Sequence, residues 1–391
     1  MTLPRTATTF APPVMEARRW LDGVTFSDAQ PLINVSQAAP VDPPPQALRQ
    51  HIADVAMTVA DAHLYGPVLG LPELRAEVAT QFSAAYGGSI ADSEVAITSG
   101  CNQAFSAAMM TLAAEGDEII LPTPWYFNHK MWLDMQGVRT VPLATGADLL
   151  PDPDVAEALI TERTRAIVLV TPNNPGGVEY PAALVAAFAD LAARRNLQLV
   201  IDETYRDFDL RPGAPHALFE NPDWGDHLIQ LYSFSKAYRL TGHRVGAMIA
   251  SESRLAEAEK FLDTVTICPN QLGQHAALWG MQNLAQWLAG ERAEILDRRA
   301  AISDHMPRIA NKGWALMGVG AYFAYLRHPF DMASDDLARA LVQKAHVLTL
   351  PGTMFMPQND PAGRQQMRIA FANVDRAGIK TLFDRLAAFE I

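Results

Sequence analysis

The chain has 391 residues, 49% of them hydrophobic, and its 31 basic and 43 acidic residues give a net charge of −12. That length and composition suit one large core or two coupled ones, while the acidic balance opposes nonspecific adhesion to nucleic acid or an anionic membrane. No apolar run approaches a membrane span, and residues 1–10 lack the basic start and apolar centre of a signal peptide, so we expect a cytoplasmic protein with no nucleic-acid or membrane partner. Cys101 and Cys268 have no metal-ligand spacing and read as reduced thiols, and no His/Cys/Glu cluster suggests a metal.

In chain order, residues 1–31 are rich in Pro, Thr and Ala and read as an arm with one short helix over 14–21. Residues 33–37 alternate like a strand, and Pro40-Val41-Asp42-Pro43-Pro44-Pro45 delays any helix until Gln46. A helix is predicted over 46–60, and Pro72 suits the first turn of the next. From Val95 onward short apolar segments alternate with helices, the pattern of a mostly parallel sheet sandwiched by helices. Seven strands are predicted, at 95–98, 118–121, 139–142, 166–170, 198–201, 228–232 and 245–250. Ser99-Gly100-Cys101-Asn102-Gln103 opens a helical run at 104–114, whose amino end offers free amide donors to an anion. After residue 250 the composition turns helical to about 309, interrupted at Cys268-Pro269-Asn270. Strand alternation over 317–326 and a helix over 337–344 then predict a smaller α+β domain. The expected division is an arm with part of the small domain at 1–47, a large domain at 48–285 and the small domain at 286–391.

Three stretches carry chemistry. Lys236 follows the strand at 228–232, so its amine would sit at the carboxyl edge of the sheet, where open α/β folds bind ligands. A partly desolvated lysine there can attack carbonyls, and Ser233, Ser235 and Arg244 add phosphate donors around it. An amine beside a phosphate cup suggests pyridoxal phosphate. Asp202 ends the apolar run Leu199-Val200-Ile201, where a carboxylate is costly unless paired. Arg368, inside Met367-Arg368-Ile369-Ala370, needs an anion to match its planar fork.

These residues resemble the class I/II aminotransferases of fold type I. Their pattern Ser-x-Ser-Lys-x-x-x-x-x-Gly-x-Arg-x-Gly is matched at 233–246, Tyr-x-x-x-x-Gly-x-x-x-Leu-Arg at 65–75, and Asn-Pro-x-Gly at 174–177. The motifs keep the family's order from Tyr65 to Arg368. The resemblance implies that Lys236 carries the cofactor and moves the substrate's Cα proton, and that Asp202 lies under the pyridine nitrogen. Asn174 and Tyr205 would bond the ring oxygen. It places the phosphate on Gly100, Cys101, Asn102, Ser233, Ser235 and Arg244, with Tyr65 reaching the neighbouring subunit of a homodimer. Tyr126 would stack on the ring, with Trp125 as a one-residue alternative, and Arg368 would grip the substrate's α-carboxylate. Ala38 stands at the substrate entrance and Met356 in a Pro-Gly-x-x-Phe loop, both where the family has glycine. The implied activity is ping-pong transfer of an amino group from an L-amino acid to a 2-keto acid. Two alternatives use the same residues: a C–S β-lyase, and a noncatalytic cofactor-binding regulator. Trp125, Tyr126, Phe127 and Trp132 favour an apolar or aromatic substrate.

Overall fold

The computed structural model describes residues 4–358 and 360–390. β1 (Ile33–Asn34) belongs to the amino-terminal arm. The next seven strands form one sheet: β2 (Val95–Thr98), β3 (Glu118–Thr123), β4 (Arg139–Ala144), β5 (Thr164–Val170), β6 (Gln198–Asp202), β7 (Leu228–Ser233) and β8 (Gly246–Ile249). Their spatial order is β2-β8-β7-β6-β5-β3-β4. Neighbours from β7 through β4 run parallel, whereas β8 is antiparallel to both β7 and β2, so the sheet is mixed but mostly parallel.

The strands read as unbroken apolar runs because both faces are covered. Side chains alternate between the faces. Ala96, Ile119, Val168, Val200 and Ile229 enter one core layer with Phe105 and Leu133. Their neighbours Ile97, Ile120, Leu169, Ile201 and Leu228 enter the other, with Phe82 and Phe188. Helices Cys101–Leu112 and Glu252–Thr266 contribute to the first layer, and Pro72–Tyr86, Ala182–Arg194 and Gln271–Asn283 to the second.

A second sheet is antiparallel throughout, in the order β12 (Leu350–Pro351), β13 (Gln366–Ala370), β10 (Phe323–Arg327), β9 (Ala315–Gly320). β11 (Val347–Leu348) pairs in parallel with β1 and so stitches the arm to this region. The stretch read as strand-like over 317–326 is therefore a hairpin. Its turn runs through Ala321 at φ 45°, and no glycine or asparagine marks that left-handed position. The helix Phe127–Gln136 was also not foreseen; it starts directly after the aromatic turn with no capping side chain to announce it. Met356, where the resemblance expects glycine, has φ −125°, an extended conformation that any residue adopts, so the missing glycine costs nothing there.

Candidate active site

A cavity of about 430 Å³ opens at the carboxyl ends of β5, β6 and β7, a size suited to a small ligand. Asn174, Asp202, Tyr205 and Lys236 line it from the sheet, and Arg368 enters from β13. Ala38, Cys101, Asn102, Tyr126, Ser233, Ser235 and Arg244 complete the lining that the sequence predicts.

Strand parity separates the two adjacent acids at the end of β6, Asp202 and the residue after it. Asp202 shares its face with Val200 and meets His129, whose Nε2 lies 3.2 Å from Asp202 Oδ2. Glu203 faces the opposite layer, where it accepts hydrogen bonds from Tyr86 and Gln230. Burial pushes the Asp202 carboxyl up, but His129 and the bonds from Thr204 outweigh it, so the group stays below its ordinary value and anionic. Thr204 N donates to Asp202 Oδ1 at 3.0 Å. His129 is itself clamped flat on Phe105, ring centroids 3.8 Å apart. The sequence reading missed His129: it belongs to the unforeseen helix, and nothing in its neighbourhood announces a contact with Asp202.

Lys236 follows directly on β7 in the short helix Phe234–Ala237, and its Nζ donates to the Ala38 carbonyl at 2.7 Å. Burial, aided by the Arg244 and Arg368 cations, lowers its pKa to about 8. The neutral amine is then a minority species near physiological pH, roughly a fifth of the total at pH 7.4, far more than the ordinary lysine value would allow. Ala38 thus reaches the site through its backbone oxygen, a contact that no side-chain pattern encodes.

One end of the cavity is built for an anion. The helix Cys101–Leu112 points its free amides there, with Gly100 at φ 84° before it. A Cβ on Gly100 would come within 2.2 Å of Arg244 Nη2, so this glycine lets the guanidinium reach the helix end. Arg244 Nη1 donates to Thr241 O at 3.0 Å and lies 3.4 Å from Ser235 Oγ. Ser233 Oγ accepts from Ser235 N at 3.3 Å. Burial and nearby Asp202 push the Cys101 thiol well up, keeping it neutral beside this pocket.

At the other end Arg368 is 2% exposed. Its Nη1 donates to Asn174 Oδ1 at 2.8 Å and its Nη2 to the Ser36 carbonyl, while its Nε is buried without a partner. Phe323 and Phe355 lie 4.9 Å from its guanidinium carbon. Burial lowers its pKa to about 10, against support from Tyr205, Tyr126 and Tyr325. With no carboxylate beside it, this desolvated cation can pair with an incoming one.

Tyr126 lines the cavity, its hydroxyl 3.3 Å from Asn102 Oδ1, whereas Trp125 is 5% exposed within the core layer behind it. Of the other aromatics, Phe127 lines the cavity, and Trp132 packs edge-on against Phe261 instead. Tyr65 does not join the others in its own chain: it is 80% exposed and borders a separate surface hollow with Cys268 and Asn270. Among the described residues no group of three or more His, Cys, Asp or Glu is placed to hold a metal, and no helix is long and apolar enough to cross a membrane.

The family model "Aminotransferase class I and II" matches residues 30–386. The chain belongs to that family. The aminotransferase is 29% identical over 298 residues to an aromatic aminotransferase of Arabidopsis thaliana, covering 74% of this chain and 73% of that one. It is 28% identical over 357 residues to an aspartate aminotransferase of Sulfolobus acidocaldarius, covering 87% and 86%. The solved aspartate aminotransferase of Thermus thermophilus superposes with a TM-score of 0.88 at 23% identity, covering 99% of each chain, a likeness of fold. The family uses pyridoxal phosphate generally.

Proposed function

We propose that this aminotransferase binds pyridoxal phosphate covalently at Lys236 and passes amino groups between α-amino acids and 2-oxo acids, one substrate after the other in the same cavity. The observation that carries the reading is the meeting of a lysine of lowered pKa, an anionic buried aspartate and a buried arginine without a carboxylate around one space of small-ligand size. The residues fit the group. Gly100, Cys101 and Asn102 would hold the phosphate by backbone amides, with Ser233, Ser235 and Arg244 supplying side-chain donors. Asp202 would hold the ring nitrogen, Asn174 and Tyr205 the ring oxygen, and Tyr126 one face of the ring. When bound, the cofactor supplies an electron sink for the pair left behind when the substrate's Cα proton departs.

The chain's own groups do the rest. Arg368 holds the α-carboxylate through its fork and so fixes which face of the substrate meets Lys236. Freed when the substrate's amine takes its place, Lys236 in its neutral form would take the proton from the substrate's Cα. Asp202 stays anionic because His129 and Thr204 hold it so. The exposure of Tyr65, well outside its own cavity, supports a homodimer in which Tyr65 of the partner subunit completes the phosphate site. We also propose the division into an arm at 1–47, a large domain at 48–285 and a small domain at 286–391, and a cytoplasmic location.

The test is a half-reaction. The cofactor-loaded enzyme is mixed with single amino acids, the visible absorbance is followed, and borohydride-treated enzyme is digested to find the labelled peptide. Bleaching by amino acids with recovery on adding a 2-oxo acid, and a label at Lys236, are expected. Ammonia and pyruvate released from a cysteine conjugate without amino transfer would point to a lyase instead.

A further inference from the structure

Four cationic side chains line the cavity, Arg18, Lys236, Arg244 and Arg368, against the single carboxylate of Asp202. The reading above, on which this inference rests, gives work to three of them and leaves Arg18 over. Arg18 comes from the arm helix Pro13–Arg19, which also brings Val14 and Met15 to the cavity wall. Its neighbour Arg19 pairs with Glu16 at 3.0 Å. Arg18 pairs with no carboxylate among the described residues, and its one hydrogen bond runs from Nη2 to Gln37 Oε1 at 2.8 Å.

That bond brings it to the segment that also meets Arg368. Arg368 Nη2 donates to the carbonyl of Ser36, and Arg18 to the side chain of Gln37, the next residue. Consecutive Cα atoms are about 3.8 Å apart, so the two guanidiniums are tethered to one short stretch of backbone. The stretch is pinned in turn: Asn373 Nδ2 donates to Gln37 O at 2.6 Å, and Ala39 N donates to Asn373 Oδ1 at 3.3 Å. The wall beside Arg18 is otherwise apolar or amide, with Met15, Phe127, Asn128 and Met131. No acidic group of that wall competes for the cation.

We propose that Arg18 receives the second carboxylate of a dicarboxylic substrate whose first carboxylate is held by Arg368. Gln37 keeps Arg18 in place until that anion arrives. A monocarboxylic substrate would use Arg368 alone and lay its side chain on Val14, Met15, Phe127 and Met131. Arg18 is thus a specificity residue that chooses between the two substrate classes.

The experiment compares wild-type holoenzyme with R18M and R18K, using 2-oxoglutarate and oxaloacetate against pyruvate and phenylpyruvate as acceptors. A charge-assisted hydrogen bond at an exposed rim is worth roughly a tenfold change in affinity. R18M is therefore expected to raise KM for the diacids roughly tenfold and to leave the monoacids within about twofold, while the wild type, unlike R18M, loses part of its diacid preference at high salt. R18K should fall between. Equal effects on both acceptor classes, no effect on either, or a wild type that does not use diacids would overturn the assignment. Binding of succinate against butyrate, measured by calorimetry on the same proteins, reads the subsite without turnover. If no amino acid reacts at all, the catalytic reading fails, while a succinate preference lost in R18M would still stand.

Discussion

Lys236 Nζ and the carbonyl oxygen of Ala38 are 2.7 Å apart, joining the turn after β7 to the arm segment that also carries Ser36 and Gln37. The amine is thereby held in the cavity as a donor while burial and two arginines make its charge costly. Its folded pKa of about 8 lies below the unfolded 10.5, so the unfolded chain binds more protons between these values. The cost to stability is full below about pH 8, shrinks as pH rises and is gone above about 10.5. In cofactor-free protein, K236M is expected to be the more stable at pH 7, with an upper limit of about 3 kcal/mol reduced by about 1 for the lost hydrogen bond. Urea unfolding at pH 7 and pH 10 measures it. An equal difference at both values would contradict the cause given.

Asp202 depends on His129. Because its folded pKa is lowered, Asp202 contributes stability above the ordinary carboxylate range, and that contribution is lost as pH falls through the folded value. H129N weakens the hold, so both this loss and the acid limb of the kcat profile should move to higher pH. At neutral pH we expect roughly a tenfold loss of kcat. An acid limb that stays in place in H129N would assign the limb to another group.

Arg368 is expected to be indispensable for substrate and dispensable for labelling. R368A removes a buried cation and leaves Asn174 Oδ1 and the Ser36 carbonyl without their donor. A loss of roughly a hundredfold to a thousandfold in kcat/KM is expected, while borohydride still labels Lys236. R368K, lacking the fork, should recover only part. Rate profiles for substrates lacking the α-carboxylate should be indifferent to either change.

Tyr65 can be tested by mixing. K236A lacks the amine and Y65F lacks the hydroxyl proposed to reach the neighbour, so on that proposal a mixed dimer of the two contains one complete site. Co-refolded chains should exceed the mean activity of the two parents, approaching about a quarter of wild type when chains pair at random. Activity equal to that mean would place Tyr65 outside the partner's site.

Much of the candidate site was legible because its chemistry sits where strands end. Lys236, Asp202 and Asn174 each follow an apolar run that can only be a buried strand, and a charged residue there stands out from its surroundings. Arg368 was legible for the same reason, as a cation inside β13. What escaped had no such contrast. The carbonyls of Ser36 and Ala38 are common to every residue type, and Arg18 is one of several arginines on short helices. The choice between Tyr126 and Trp125 turns on where the next helix begins, which a sequence without a capping residue does not mark.

Ser233 and Gly246 are paired across β7 and β8, and a Cβ on Gly246 would sit 2.7 Å from the Cys101 amide nitrogen. The chain thus leaves the sheet at Ser233, passes Lys236 and Arg244, and returns beside its own starting point. The proposed tether and anion clamp therefore form a single cassette, soldered at its base to the helix that would complete the clamp. Transplanting the reactivity onto another scaffold would mean grafting that whole loop with its closing glycine, since a lysine moved alone would arrive without its chemistry.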